Sequence, residues 1–186
     1  MFGDWRQEDL QMMFGYTGRR MPNGEELSSP FLQHLTAREL SKILPTEIWS
    51  YFRFAIVRNP WDRMVSVYSN KDPHLCNLAR MQGIEFDGTS FDDFVAKTME
   101  LDHAHLRPQT DFVLGEHGEL LLDYVGKWER LAQDFADVCD RLGVQLTLPR
   151  ENISQRSHYR DYYSQSSRDM VAARYQADIE MFDYEF

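Results

Sequence analysis

Residues 52–71, which read FRFAIVRNPWDRMVSVYSNK, decide the fold of this chain. The apolar run at residues 54–57 has the composition of a buried β-strand. Asn59 and Pro60 suit the start of a helix, because asparagine caps helix N-termini and the missing N–H of proline is tolerated at the first helical position. This stretch therefore predicts a strand, a tight turn and a helix.

Two polar side chains of this stretch are candidates for ligand binding. Arg58 follows the predicted strand, and Ser66 lies two turns along the predicted helix. In open α/β sheets, ligands bind outside the carboxyl ends of the strands and often against helix N-termini. A guanidinium can grip a phosphate bidentately, and a hydroxyl adds one donor. Each residue alone is more often a solvated charge or a packed small residue, but the combined string favours a phosphate site.

The string RNPWDR at residues 58–63, followed by VSVY at residues 65–68, resembles the 3′-phosphate-binding motif of sulfotransferase family 2. Members of this family are carbohydrate sulfotransferases that use 3′-phosphoadenosine 5′-phosphosulfate. The resemblance implies that Arg58 and Ser66 bind the 3′-phosphate of this co-substrate. It also implies an α/β fold, a P-loop-like sandwich with a parallel sheet flanked by helices.

The N-terminal part of the chain departs from this family. Members usually begin with a strand and a phosphate loop of the type IPKTGGTS, which holds the 5′-phosphosulfate. Nothing before Phe52 matches that loop, and residues 16–20, YTGRR, are read as a turn. Either the chain is a shortened copy without the first strand, which we prefer, or it is a divergent member with another phosphosulfate site. A shortened copy would expose sheet edges, so we expect poor stability or association with another chain, for example as a homo-oligomer.

Length, charge and composition narrow the class of protein. The 186 residues predict one sulfotransferase-like domain over 1–186, with an irregular N-terminal segment over 1–34. The net charge of −10 argues against nucleic-acid binding, and no apolar run is long enough for a membrane span. The two cysteines are too few for a disulfide framework or a zinc cage, so we expect no metal and a cytoplasmic protein.

Residues 103–109, HAHLRPQ, resemble the H-x-R-P-Q element near the acceptor side of the family's cleft. Sulfuryl transfer needs a base for the acceptor proton, and histidine is the usual choice near neutral pH. His105 is the candidate base, Arg107 a candidate sulfate or acceptor ligand, and His103 a second acceptor-side residue. The alternatives are a structural histidine and an Arg107 that pairs with an acid such as Asp111.

Residues 149–163 resemble the family's loop that folds over the nucleotide before the last helix. Arg156 is a candidate second phosphate ligand, and Tyr159 or Tyr163 could pack on adenine. An equally open alternative is a solvated loop that its aromatic residues anchor to the core.

The remaining patterns predict secondary structure. Capping residues and apolar periodicity predict helices at 37–44, after Ser90, at 131–142 and from Ser167. Leu120 to Val125 predicts a strand, and 72–88 reads as a variable excursion.

The resemblance therefore implies an enzyme that moves a sulfuryl group from 3′-phosphoadenosine 5′-phosphosulfate to a hydroxyl of a carbohydrate or similar acceptor. Its partners would be the nucleotide co-substrate and the acceptor. The alternative is a truncated, non-catalytic module that binds adenosine 3′,5′-bisphosphate or a partner protein. A kinase-like nucleotide binder is disfavoured, because the chain has no G-x-x-x-x-G-K-[ST] string.

Overall fold

The computed structural model describes residues 34–43, 46–70, 72–148 and 156–186. The predicted irregular segment over 1–34, apart from His34, and the start of the 149–163 loop lie outside these residues.

The described chain combines helices with a small parallel sheet. In chain order the elements are α1 Ala37–Ile43, β1 Phe54–Val57, α2 Pro60–Asn70, α3 Pro73–Met81, α4 Phe91–Thr98, β2 Tyr124–Lys127, α5 Leu131–Leu142, α6 Gln165–Arg174 and α7 Gln176–Phe182. Short 3₁₀ turns occur at Thr46–Ser50, Ala104–Leu106, Gln109–Phe112, Trp128–Arg130 and Tyr159–Tyr162.

Strands β1 and β2 pair in parallel, with Phe54 opposite Tyr124 and Val57 opposite Lys127. The strand predicted at residues 54–57 is confirmed, whereas the strand predicted from Leu120 to Val125 is wrong in its first four residues. Leu120 instead forms an isolated antiparallel bridge with Leu114, outside the sheet. The segment that contains the bridge ends at Asp123. The carboxylate of Asp123 accepts from the backbone N–H and the guanidinium of Arg53, just before β1.

Helix α5 packs against β2, and a glycine in the strand makes the close approach possible. A Cβ atom at Gly126 would lie 2.7 Å from Ile56 Cδ1 and 2.8 Å from Asp134 Cβ. The buried Asp134 carboxylate accepts from the backbone N–H of Lys127 and, at 3.0 Å, from the hydroxyl of Tyr124. The strand and the helix are therefore locked by hydrogen bonds at the point where they touch.

The main core lies between α2, α4 and α6. The helix predicted after Asn59 is confirmed, and an apolar stripe of it faces this core, since Trp61 and Val65 are buried and Tyr68 packs against the same cluster. Val95 of α4 and Val171 of α6 are fully buried opposite that stripe. This packing fixes α2, and with it the turn that precedes the helix.

A second core cluster connects the sheet to the C-terminal segment. Val57 of β1 packs with Val113, Phe182 and Tyr184. The end of β1 is therefore enclosed by residues that come from the last helix and the residues after it.

The interpretation of residues 72–88 as a variable excursion is wrong for its first half, which forms helix α3. Asp72 caps this helix by accepting from the Leu75 N–H at 2.9 Å, and Pro73 occupies the first helical position. Leu75 and Ala79 are buried against the main core, whereas Met81 is 86% exposed. The pair Asp72-Pro73 is a helix-start signal in the sequence, although the apolar pattern alone did not indicate a helix.

The other predicted helices are confirmed, with small shifts in their bounds. Thr36 and Glu39 form the predicted capping box at the start of α1, and Gly143 ends α5 with φ at +67°. The last helix begins earlier than predicted, because Ser164 rather than Ser167 caps it. It is also interrupted at Tyr175, which separates α6 from α7.

Candidate functional site

The turn between β1 and α2 is held by side chains on both sides. Asn59 caps α2, since its Oδ1 accepts from the Trp61 N–H at 3.0 Å and its Nδ2 donates to the Glu185 carbonyl at 2.8 Å. Glu129, at the end of β2, accepts from the Asn59 N–H at 2.6 Å and from the Tyr184 hydroxyl at 3.2 Å. Glu129 is therefore part of the framework that fixes the turn.

Gln109 fixes the backbone of Arg58. Its Oε1 accepts from the Arg58 N–H and its Nε2 donates to the Arg58 carbonyl, each at 2.8 Å. The carboxylate of Asp178 in α7 accepts from the backbone N–H groups of Gln109 and Thr110, both at 2.8 Å. The H-x-R-P-Q element is thus attached directly to the residue at the tip of β1.

Two predicted phosphate ligands meet at one carboxylate. Arg58 Nε donates to Asp62 Oδ2 at 2.6 Å, and Arg156 Nη2 donates to Asp62 Oδ1 at 2.5 Å. The side chains of all three are at most 20% exposed. Within the turn, Asp62 pairs with Arg58, whereas Arg63 has no ion pair among the described residues.

Ser66 lies four residues beyond Asp62 on α2, so it shares the helix face on which both arginines are bound. The serine side chain is half-buried, and its hydroxyl has no hydrogen-bond partner among the residues that the structure describes. The structure therefore places Arg58, Arg156 and Ser66 on one side of the first turns of α2.

Side chains of two arginines and one tyrosine hold the backbone around His105. Arg63 Nη2 donates to the His105 carbonyl at 3.0 Å. The next carbonyl, that of Leu106, accepts from Arg174 Nε at 3.2 Å and from the Tyr175 hydroxyl at 2.9 Å. Arg63 thereby connects the backbone of the candidate base to α2, the helix that contains Asp62 and Ser66.

The imidazole of His105 is partly exposed and lies close to the cap of α3. Its Nδ1 is 3.8 Å from Asp72 Oδ2. Burial lowers the pKa of His105 below its ordinary value of 6.5, and the nearby Asp72 carboxylate opposes that effect. A lowered pKa favours the neutral imidazole near neutral pH, which is the form that can accept a proton.

His103 supports the conformation of its neighbour. Its Nδ1 accepts from the His105 N–H at 3.3 Å, and the two rings meet edge to face with centroids 5.0 Å apart. Burial lowers the pKa of His103, and the second imidazole adds to that effect. These contacts cap the short 3₁₀ turn at Ala104–Leu106.

Arg107 forms its contacts with a different acidic residue from Asp62. It forms a bidentate pair with Asp102, with Nε to Oδ1 at 3.0 Å and Nη2 to Oδ2 at 3.3 Å. Asp102, and not Asp111, is therefore its partner, although Asp111 lines the same open depression beside α1. The predicted role of Arg107 as a sulfate or acceptor ligand stays a prediction.

The tyrosines of the C-terminal loop differ in their surroundings. Tyr163 is anchored in the core, since its hydroxyl donates to the Trp61 carbonyl at 2.9 Å and burial raises its pKa. Tyr159 is half-buried, and its ring meets Phe186 edge to face at 5.7 Å. Of the two candidates for adenine packing, Tyr159 is the one whose hydroxyl makes no contact with the core backbone.

Sequence reasoning missed two residues of this region. Asp62 was not among the candidate site residues, yet it binds both arginines; its spacing four residues after Arg58 was the available signal. No pattern in the sequence singled out Trp128. This residue is 48% exposed, and its ring centroid lies 5.1 Å from Arg58 Cζ. The contact joins the residues that follow β2 and β1, which no local pattern reveals.

Two features are absent from the described residues, 34–43, 46–70, 72–148 and 156–186. No three or more histidine, cysteine or acidic side chains there are grouped to hold a metal ion. No described helix is long and apolar enough to cross a membrane.

Comparison with known proteins now defines the class. A family model described as "Sulfotransferase family" matches residues 14–185, so this chain belongs to the sulfotransferase family. The match begins further towards the N-terminus than the first string that resembles the family, which starts at Arg58.

Curated relatives are carbohydrate sulfotransferases. The chain is 24% identical to carbohydrate sulfotransferase 10 of Homo sapiens over 87% of its own length, and 23% identical to that of Gallus gallus over 86%. It spans about half of these relatives, 53% of each. No solved structure matches this chain.

Proposed function

We propose that this chain transfers a sulfuryl group from 3′-phosphoadenosine 5′-phosphosulfate to a hydroxyl of a carbohydrate acceptor. One observation carries the proposal. Arg58 and Arg156 meet at the Asp62 carboxylate, one helical turn before Ser66 and at the carboxyl end of a parallel strand. Gln109 connects Arg58 to the His105 element, and Arg63 donates to the His105 carbonyl.

The chemistry assigns a role to each part. Arg58, Arg156 and Ser66 would bind the 3′-phosphate, with Tyr159 or Trp128 available to pack on adenine. His105 would accept the proton of the acceptor hydroxyl as its oxygen attacks sulfur. The new O–S bond forms while the bond between sulfur and the bridging phosphate oxygen breaks, and adenosine 3′,5′-bisphosphate leaves.

The proposal extends to the architecture and the surroundings of the chain. The parallel pair of strands with helices packed on it is consistent with a P-loop-like sandwich that forms one domain. Roles for Arg107 and His103 in acceptor binding, the cytoplasmic location and association into a homo-oligomer stay predictions.

A second candidate function rests on the N-terminal sequence. Because no residues before Phe52 match the family's phosphosulfate loop, the chain could bind adenosine 3′,5′-bisphosphate or a partner protein without transferring sulfate. This candidate and the enzyme share the same 3′-phosphate site.

Two measurements on the same preparation separate the candidates. Calorimetry with adenosine 3′,5′-bisphosphate measures binding, and transfer of labelled sulfate to a panel of carbohydrate acceptors measures activity. Binding with transfer supports the enzyme, and binding without transfer supports the non-catalytic module. No preference for adenosine 3′,5′-bisphosphate over adenosine 5′-phosphate would refute the enzyme and the nucleotide-binding module, and would leave binding of a partner protein as the second candidate.

A further inference from the structure

Asp62 is the centre of the predicted phosphate site, although it carries the wrong charge to bind a phosphate. Each of its two carboxylate oxygens accepts from a different guanidinium: Oδ2 from Arg58 and Oδ1 from Arg156. These two arginines are 98 positions apart in the chain. Without a shared anion, their like charges would repel one another.

The carboxylate uses only part of each guanidinium. Arg58 gives its Nε, and its two Nη groups have no hydrogen-bond partner among the described residues. Arg156 gives its Nη2, while its Nη1 is buried and unpaired in the part of the chain that the structure describes. A buried N–H without an acceptor is costly, so the site as it stands has a donor that an incoming anion could satisfy.

The charge balance favours an anion at this place. Two guanidinium groups and one carboxylate leave a net charge of +1 in a chain whose overall charge is −10. Because both oxygens of Asp62 already accept from arginines, its own charge is largely compensated. The donors of Arg58 and Arg156 that have no partner in the described part of the chain, together with the Ser66 hydroxyl on the same helix face, are those available to phosphate oxygens.

We propose that Asp62 is a positioning residue for the nucleotide 3′-phosphate: it holds Arg58 and Arg156 side by side so that their remaining N–H groups form one binding site. This inference rests on the proposed function, because it assigns a role within the same site. It differs from the simpler expectation that Asp62 only stabilises the start of α2.

The test compares two nucleotides that differ only in the 3′-phosphate. Dissociation constants for adenosine 3′,5′-bisphosphate and adenosine 5′-phosphate are measured by calorimetry for the wild type and for Asp62→Asn. We expect Asp62→Asn to weaken binding of the bisphosphate about tenfold, as loss of a charge-assisted contact does, and to change binding of the monophosphate less than about threefold.

The matched control is Asp123→Asn. Asp123 also accepts twice from a guanidinium, that of Arg53 before β1, at 3.0 and 2.9 Å. Its replacement should leave both dissociation constants unchanged. If Asp62→Asn does not fold, as judged by circular dichroism, the same dissociation constants are measured for Asp62→Ser, with the same expected result.

A double-mutant cycle distinguishes positioning from general stabilisation. In an Arg156→Gln background, Asp62→Asn should weaken bisphosphate binding by only about threefold, because one of its two partners is already absent. A tenfold effect in both backgrounds would overturn the inference, as would a 3′-phosphate preference that Asp62→Asn leaves intact. A wild type without that preference would overturn the proposed function, and this inference with it.

Discussion

The side-chain amide of Gln109 is hydrogen-bonded to both the N–H and the carbonyl of Arg58, at 2.8 Å each. It acts like one residue of a neighbouring strand and continues the pairing of β1 beyond Val57, where β2 has ended. The backbone of the predicted phosphate-binding arginine is thereby coupled to the element that carries the predicted base.

Replacing Gln109 with methionine, which has a similar volume, should destabilise the fold. The Arg58 N–H and carbonyl would lose their partners in a half-buried place, at a cost of about 1–3 kcal/mol in the free energy of unfolding. Chemical denaturation measures this change. Gln133→Met is the control, because the Gln133 amide donates to Asp137 on the exposed side of α5. This substitution should change the free energy of unfolding by less than about 0.5 kcal/mol.

Arg58→Lys should selectively weaken nucleotide binding. Lysine keeps the charge but loses the fork that can hold Asp62 and a phosphate together, so we expect the dissociation constant for adenosine 3′,5′-bisphosphate to rise about tenfold. Arg53→Lys changes the same residue type at the opposite end of β1, where it pairs with Asp123. Equal effects of both substitutions in calorimetry would contradict the assignment of the site.

His105→Asn tests the base. The rate of sulfate transfer should fall by about 10²–10⁴-fold, while nucleotide affinity changes little. Because burial lowers the pKa of His105 below 6.5, the wild-type rate should rise with pH through a pKa below that value, and the variant should lack this acid limb. His117→Asn, in the exposed turn before Leu120, should leave the pH profile unchanged; an acid limb that survives in His105→Asn would exclude His105 as the base.

Trp128 should report nucleotide binding by its fluorescence. Its ring lies 5.1 Å from Arg58 Cζ and is 48% exposed, so a bound phosphate or adenine changes its surroundings. The fluorescence change on adding adenosine 3′,5′-bisphosphate should disappear in Trp128→Phe. It should persist in Trp49→Phe, since Trp49 makes the equivalent contact with Arg53, at 5.3 Å. The reverse pattern would place the nucleotide elsewhere.

Asp134 should stabilise the fold in a pH-dependent way. Burial by itself raises its pKa, but hydrogen bonds from the Lys127 N–H, Tyr124 and Arg130 outweigh burial and hold the pKa below the ordinary 3.8. Its contribution is therefore complete above about pH 4 and is lost as the pH falls through the lowered folded-state pKa.

Asp134→Asn should cost about 1–3 kcal/mol near neutral pH and lose less stability than the wild type on acidification. Denaturant titrations at several pH values measure both effects. Asp140→Asn, on the exposed side of the same helix, is the control. A variant that loses as much stability with acid as the wild type would show that Asp134 is not responsible.

Local patterns determined much of this protein from the sequence. The apolar run at residues 54–57, the Asn-Pro helix start and the Thr36–Glu39 capping box each describe structure that neighbouring residues produce by themselves. The RNPWDR string likewise indicated the sulfotransferase family, to which the chain belongs.

The tertiary structure alone decided which side chains meet. Arg156 reaches Asp62 across 94 positions, and Gln109 reaches Arg58 across 51. Such contacts depend on how helices and strands pack, and no local periodicity encodes them. The same reason explains the late start of β2: its first residue is set by where Asp123 binds Arg53, a contact across 70 positions, and not by the apolar run before it.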